Sequence, residues 1–346
     1  MLKARGHTVR KLVIRSEDFV MRGPSHQLKA AVLGDGTLRA TIRRELAVSP
    51  DVVYLNNWFP WLAPLVDELA RVPILAAVRN YRMWCINGLF FRDGADCHLC
   101  AGGKEWQGVR HVCYRGVGES IVAAQAVRSV RRTLQGNPQV HFAGVSNHVC
   151  EVLVRAGIPA SRVHEKPNVV FPSPPVGPGG DDVVFVGRLE PEKGLGQFLD
   201  ATRSLGCRPV VVGAGSMAGI ARGVDYRGEL AHTEVLEILG RARVTVVPSL
   251  WQEPFGRVAA ESLGCGTPII VSDAGGLRGI GDPACSQVVP AGDTGALALV
   301  IQEAMSRPYW ATEARQASHR RFLSHYSQEA VAGRLESALR SVLSAA

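Results

Sequence analysis

Two carboxylates, Glu253 and Glu261, stand eight residues apart in "WQEPFGRVAAESLGCGTP", Trp251–Pro268. Carboxylates accept hydrogen bonds from vicinal hydroxyls, as on a ribose or a hexose. On one helix the pair would be ~12 Å apart along the axis. Pro254 and Gly256 argue against one helix, so Glu253 is expected in a loop and Glu261 in the helix that follows. Gly256 lets the backbone approach a ligand closely. The start of that helix presents free N–H groups to an anion, and Gly264 and Gly266 mark its end. Either glutamate alone would read as a surface acid; the combination offers an anion site with two hydrogen-bond acceptors.

A second stretch, "GRLEPEKG" (Gly187–Gly194), sets Arg188 and Lys193 five apart across a turn. A guanidinium grips phosphate oxygens as a fork and an ammonium acts as a point charge. Together they can neutralise a diphosphate; taken alone they would be two solvated loop cations. "GAGSMAG" (Gly213–Gly219) holds a lone GxG and reads as a further loop on the same side.

The elements that position these groups alternate. "DVVFVG", "RPVVVGAG", "VTVVPS" and "PIIVSD" read as strands. "GLGQFLDATRSL", "AHTEVLEILGRA" and "VAAESLGC" read as helices, the second with Thr233 as N-cap and Glu237 one turn in. Apolar strands separated by helices imply a parallel sheet covered on both faces. Both stretches follow predicted strands, at the carboxyl ends where ligands bind in such sheets. The front half alternates likewise, with "TVRKLVI", "DVVYLNN", "PILAAVRN" and "VHFAGVS" as strands and Cys85–Arg115 as an irregular insertion. "FPSPPVGPGGDD" (Phe171–Asp182) stops both helix and strand and reads as a linker.

The 346 residues suffice for two domains, and 46% hydrophobic with 20% charged is an ordinary globular composition. Residues 1–180 hold 23 Lys+Arg against 13 Asp+Glu, whereas residues 181–346 hold 16 against 18. The positive excess is thus confined to the front half. It fits a solvated basic face, or a face that attracts an acidic or lipid-linked acceptor at a membrane. Nucleic acid is not expected as a partner, because no basic run is interleaved with aromatics. No apolar run reaches the ~18–20 residues of a membrane span. The first residues carry no apolar signal core, so a cytoplasmic location follows, with the inner membrane face as the place of any peripheral contact.

"GRLEPEKG" followed by "PSLWQEPFGRVAAESLGCGTPIIVSDAGG" resembles the retaining glycosyltransferases of family 4. "VYLNNWFP", "VRNYRMWCINGLFFRDGADCHLC", "FAGVSNHVCEVLVRAGIPASRVHEKPNVV" and "FLSHYSQEAVAGRLESAL" are similar to segments of that family, in order. The resemblance implies an α/β chain of two doubly wound Rossmann-like domains (GT-B) facing a central cleft. On this pattern residues 1–173 form the acceptor-side domain with the insertion 85–115, and 174–181 the linker. Residues 182–321 form the donor domain, and 322–346 a helix returning to the first domain. It implies donor contacts from Gly187, Arg188, Lys193, Glu253, Phe255, Gly256, Arg257, Val258 and Glu261. Arg188, Lys193 and Glu253 are the catalytic set, and Arg79 and Asn80 lie on the acceptor side. The activity implied is transfer from a nucleotide-diphosphate sugar, with no cofactor required, to a hydroxyl acceptor: a glycan, a lipid-linked molecule or a natural product.

The chain departs from the family at three places. The first strand and its glycine-rich loop are missing, so either the chain starts too late or it is a degenerate copy. Arg79 replaces the usual histidine, and arginine cannot act as a base at neutral pH. Gly279 occupies a position often held by glutamate. The rival readings are a sugar-nucleotide-binding homologue without catalysis, and a sugar-nucleotide epimerase.

Cys85, Cys97, Cys100 and Cys113 are spaced C-x11-C-x2-C-x12-C. Four thiolates would complete a tetrahedral structural zinc site, with His98 and His111 as alternative ligands; free or bridged thiols are the other reading. Cys150, Cys207, Cys265 and Cys285 are scattered and read as small buried apolar residues.

Overall fold

The computed structural model describes residues 1–15, 34–57, 65–69, 72–172, 179–203 and 205–345. They fall into two units. One comprises Met1–Phe90, Cys97–Lys166 and Ala332–Ala346, and the other Phe91–Asp96 and Pro167–Val331. The expected linker 174–181 lies outside the described residues as far as 178. Beyond it, Gly180 N donates to Arg241 O at 2.7 Å.

The strands are β1 (Val53–Leu55), β2 (Ile74–Val78), β3 (Phe91–Arg92), β4 (Ala95–Asp96), β5 (Val140–Gly144) and β6 (Val163–Glu165). They continue with β7 (Asp182–Val186), β8 (Arg208–Val212), β9 (Asp225–Tyr226), β10 (Val244–Val247), β11 (Ile269–Ser272) and β12 (Ser286–Val289). The principal helices are α1 (Gly36–Leu46), α2 (Val117–Val130), α3 (Asn147–Arg155), α4 (Leu195–Thr202) and α5 (His232–Arg241). After them come α6 (Arg257–Gly264), α7 (Thr294–Ser306), α8 (Glu313–His325) and α9 (Gln328–Ser344).

In the first unit four parallel strands run in the order β1-β2-β5-β6. β2 and β5 are buried along their whole length, as central strands covered on both faces must be. Leu335, Ala338, Leu339 and Val342 of α9 recur at helical spacing and pack on Leu75 and Ala143. Arg334, on the same helix, donates to Glu165 at 2.6 Å. The expected strand "TVRKLVI" does not form: residues 8–14 have no regular structure, and Leu12 and Val13 are exposed. A hydrophobic run with Arg10 and Lys11 inside it finds no ladder partner among the described residues.

The second unit holds six parallel strands in the order β12-β11-β10-β7-β8-β9. Along β7 the side chains alternate between two cores. Val183 and Phe185 join Val211, Val246 and Ile270 on one face, and Val184 joins Val210, Val212 and Leu239 on the other. The chain leaves β7 toward β8 on one side and reaches β10 on the other. The strand order therefore reverses between β7 and β10. α5 starts at His232 after Ala231, whose N–H donates to Glu234 at 2.9 Å. Thr233, expected as the N-cap, lies inside the helix, and Ala231 stands at the cap position. No described helix is long and apolar enough to cross a membrane.

Candidate functional site

A reversal of strand order opens a crevice at the carboxyl ends of the two strands that flank it. Here those ends lead into Gly187–Gly194 after β7 and Pro248–Phe255 after β10, so the two stretches singled out by chemistry leave adjacent strands. Gly194 seals them together. Its φ is +74°, and a Cβ there would fall 2.0 Å from the Pro248 carbonyl oxygen, so only glycine permits the approach. Leu250 N adds a backbone bond of 2.8 Å to Glu192 O.

Lys193 and Glu253 meet in an ion pair. Ser249 Oγ donates to the same carboxylate oxygen at 3.0 Å, and the Lys193 ammonium lies 5.1 Å from the centre of the Trp251 ring. Glu253 is also held by its backbone, whose carbonyl accepts from Gly276 N at 2.6 Å. Arg188 is placed differently. Its guanidinium donates to Glu192 at 2.6 Å and its side chain is 58% exposed. The two cations expected to share one diphosphate are thus each tied to a separate carboxylate.

Gly256 caps α6 with φ +88° and no side chain caps the helix start, which leaves N–H groups of its first turn open to an anion. Phe255 is buried edge-on to Tyr326, with ring centres 5.7 Å apart. Val258 packs on the core beneath β7. Glu261 is only 3% exposed; its Oε1 accepts from Arg257 Nε at 2.7 Å and lies 3.0 Å from His232 Nε2. Glu253 lies in the loop and Glu261 inside α6.

The sequence reading missed Glu192, Ser249, Trp251 and His232. Ser249 and Trp251 sit inside the motif and were legible as its neighbours. His232 comes from α5, and nothing local marks its pairing with Glu261.

In the first unit Arg79 and Asn80 follow β2 directly and line a pocket with Asn57 and Arg82. Asn80 Oδ1 accepts from Arg82 N at 3.0 Å.

The four-thiolate zinc site expected at Cys85, Cys97, Cys100 and Cys113 is not assembled. Among the described residues no group of three or more His, Cys, Asp or Glu side chains is placed to hold a metal. Cys85 Sγ donates to Asn87 Oδ1 at 2.9 Å, while Cys100 and Cys113 pack with Ile86, Ala123 and Val127. Burial, with the charge of Cys85 beside it, pushes the Cys100 thiol up to about 11. His98 packs against Phe90, ring centres 4.7 Å apart. All eight cysteines are free thiols.

Comparison with known proteins adds three findings. Residues 171–321 match the family described as "Glycosyl transferases group 1". The glycogen synthase of Mycobacterium tuberculosis is 31% identical over 174 residues, covering 44% of this chain and 41% of its own length. The D-inositol 3-phosphate glycosyltransferase of Streptosporangium roseum is 28% identical over 326 residues, covering 84% and 71%. The chain thus spans from about two fifths to about seven tenths of these relatives. Among solved structures, Anabaena HepE in complex with UDP superposes with TM-score 0.65 at 15% identity, covering 88% of this chain and 82% of that one. Sucrose-phosphate synthase from Thermosynechococcus elongatus gives 0.62 at 20% identity, covering 90% and 78%. This chain is therefore an α/β protein with the two Rossmann-like domains of the GT-B fold, and its second unit carries a glycosyl transferases group 1 segment.

Proposed function

We propose that this chain is a retaining glycosyltransferase that moves a sugar from a nucleotide-diphosphate sugar to a hydroxyl acceptor. One observation carries the reading: Lys193, Glu253 and Ser249 converge where the six-stranded sheet reverses its strand order, next to an uncapped helix start. The group 1 match over the same residues supports it. So does the likeness to HepE, which has been solved with UDP and with UDP-glucose.

In this reading the anomeric C–O bond breaks and its electron pair stays on the departing diphosphate. Lys193, Arg188 and the α6 N–H groups stabilise that charge as preplaced donors, with no divalent ion needed. The acceptor oxygen bonds to the anomeric carbon on the face the diphosphate leaves, and its proton passes to a diphosphate oxygen. No protein nucleophile is required. Glu253 receives the donor sugar hydroxyls and Glu261 the ribose, with the Phe255–Val258 backbone at the phosphate and sugar. Gly187 gives the diphosphate close access to the end of β7.

A second reading is a binding protein that keeps the donor site without turnover. Arg79 favours it, because arginine supplies no base on the acceptor side. Calorimetry with UDP-, GDP- and ADP-sugars, followed by a donor-hydrolysis assay, separates the two. The transferase reading expects one nucleotide class to bind and to be hydrolysed, with Lys193→Ala and Glu253→Ala each slowing turnover at least ~100-fold. Binding without hydrolysis favours the second reading, and an unchanged rate in either variant removes the site assignment.

A further inference from the structure

The carboxyl ends of the first unit's sheet hold two cations that no carboxylate among the described residues answers. Arg79 follows β2 and Lys166 follows β6. Lys166 is 6% exposed, and among the described residues neither side chain takes part in an ion pair. The nearest acid in sequence, Glu165, is engaged by Arg334 at 2.6 Å. Continued past the strand ends, the register sets both on one face of the sheet: Arg79 lies four residues beyond Leu75, and Lys166 two beyond His164, which pairs with Ala143; after burial, the Arg79 charge is the second cause that brings Lys166 down to about 8. The buried Tyr54 hydroxyl lies beside the same guanidinium and has no hydrogen-bond partner of good geometry among the described residues. Asn57, Asn80 and Arg82 line the adjoining pocket with Arg79.

A structural role does not account for this grouping. A buried ammonium is normally paired, and a second cation beside it raises the cost of both. A ligand with two negative charges supplies what is missing: it answers both cations, and its oxygens can accept from the unsatisfied hydroxyl. A carboxylate would neutralise only one of the two.

We propose that Arg79, Lys166 and the Tyr54 hydroxyl form an oxyanion site for the phosphate of a phosphomonoester. Its assignment to the acceptor rests on the transferase reading above; the site itself does not.

The test is calorimetric titration of inorganic phosphate into the full chain whose donor site has been filled with the nucleoside diphosphate it binds. Glycerol phosphate and acetate are titrated in parallel. The expected result is binding of phosphate and glycerol phosphate but not acetate, weakened at least ten-fold in Lys166→Gln and in Arg79→Gln. Arg79 is exposed, so its variant reads the site even where a change at Lys166 disturbs folding. Absence of phosphate binding, equal binding of acetate, or undiminished binding in both variants overturns the proposal. If no nucleoside diphosphate binds, the transferase reading fails; the same phosphate titration on the free chain then still decides this site through the two variants.

Discussion

Replacing Lys166 with methionine should stabilise the protein. The side chain is 6% exposed and has no carboxylate partner among the described residues. Burial first, and the Arg79 charge second, lower it from 10.5 to about 8. At ~1.4 kcal/mol per pH unit this gap corresponds to ~3 kcal/mol of folding free energy, as an order of magnitude. The sign follows from proton counting. Below pH 8 the ammonium is charged in both folded and unfolded chains, and the penalty is complete. Between about 8 and 10.5 the folded chain sheds the proton while the unfolded chain keeps it, so stability rises with pH. Methionine has nearly the same length and no charge. The variant should therefore melt on the order of 5–10 °C above the parent at pH 7, with the gap closing toward pH 10.5. Calorimetric melting of both proteins at pH 7 and pH 10 reads this directly. A variant that melts no higher than the parent at pH 7, or a gain that persists unchanged at pH 10, refutes the reasoning.

Glu261→Gln removes the charge held by Arg257 and His232. It should weaken nucleoside diphosphate binding ~10-fold or more by calorimetry, with the 2′-deoxynucleotide showing little further loss. Gly194→Ala should cost ~2 kcal/mol or more in urea denaturation and abolish donor binding, since the added methyl meets the Pro248 carbonyl at 2.0 Å. His141 Nδ1 lies 3.0 Å from His164 Nε2, the rings stacked. Burial depresses both imidazoles below 6.5, and the charge of His164 depresses His141 further. Stability should be complete above pH 6.5, fall as the unfolded chain protonates first, and level off beneath the folded values. A urea series from pH 7 to 4 reads the loss, which His164→Gln should reduce.

The central parallel strands were legible because their side chains are mostly apolar, and both β2 and β10 are buried end to end; β6, β9 and β12, with His164, Asp225 and Gln287 in them, were not. "TVRKLVI" has β-branched and apolar residues too, with Arg10 and Lys11 between them, but lies outside the sheet, because a strand needs an edge to pair with and composition alone does not supply one. Lys193 and Glu253 could be named from residue type and from their place after predicted strands. Their ion pair could not, since it depends on β10 lying next to β7, and sheet order is not written in either segment. Lys166 left a faint mark, a lysine in "VHEKPNVV" where the strand has just ended. Its isolation is visible only once Arg334 has claimed Glu165. The cysteine spacing fitted a metal, but spacing says nothing of where the thiols point, and packing around Ile86 took two of them.

The ion pair between Lys193 and Glu253 gives the crevice beyond β7 and β10 an internal counter-ion. A small anion drifting in from solvent meets a cation already neutralised, with little field to hold it. Only a guest that offers hydroxyls to the acid while its negative charge takes over the ammonium can replace both halves of the exchange. On the transferase reading the pair thus acts as a two-key lock, and recognition of the sugar and of the phosphate becomes a single event.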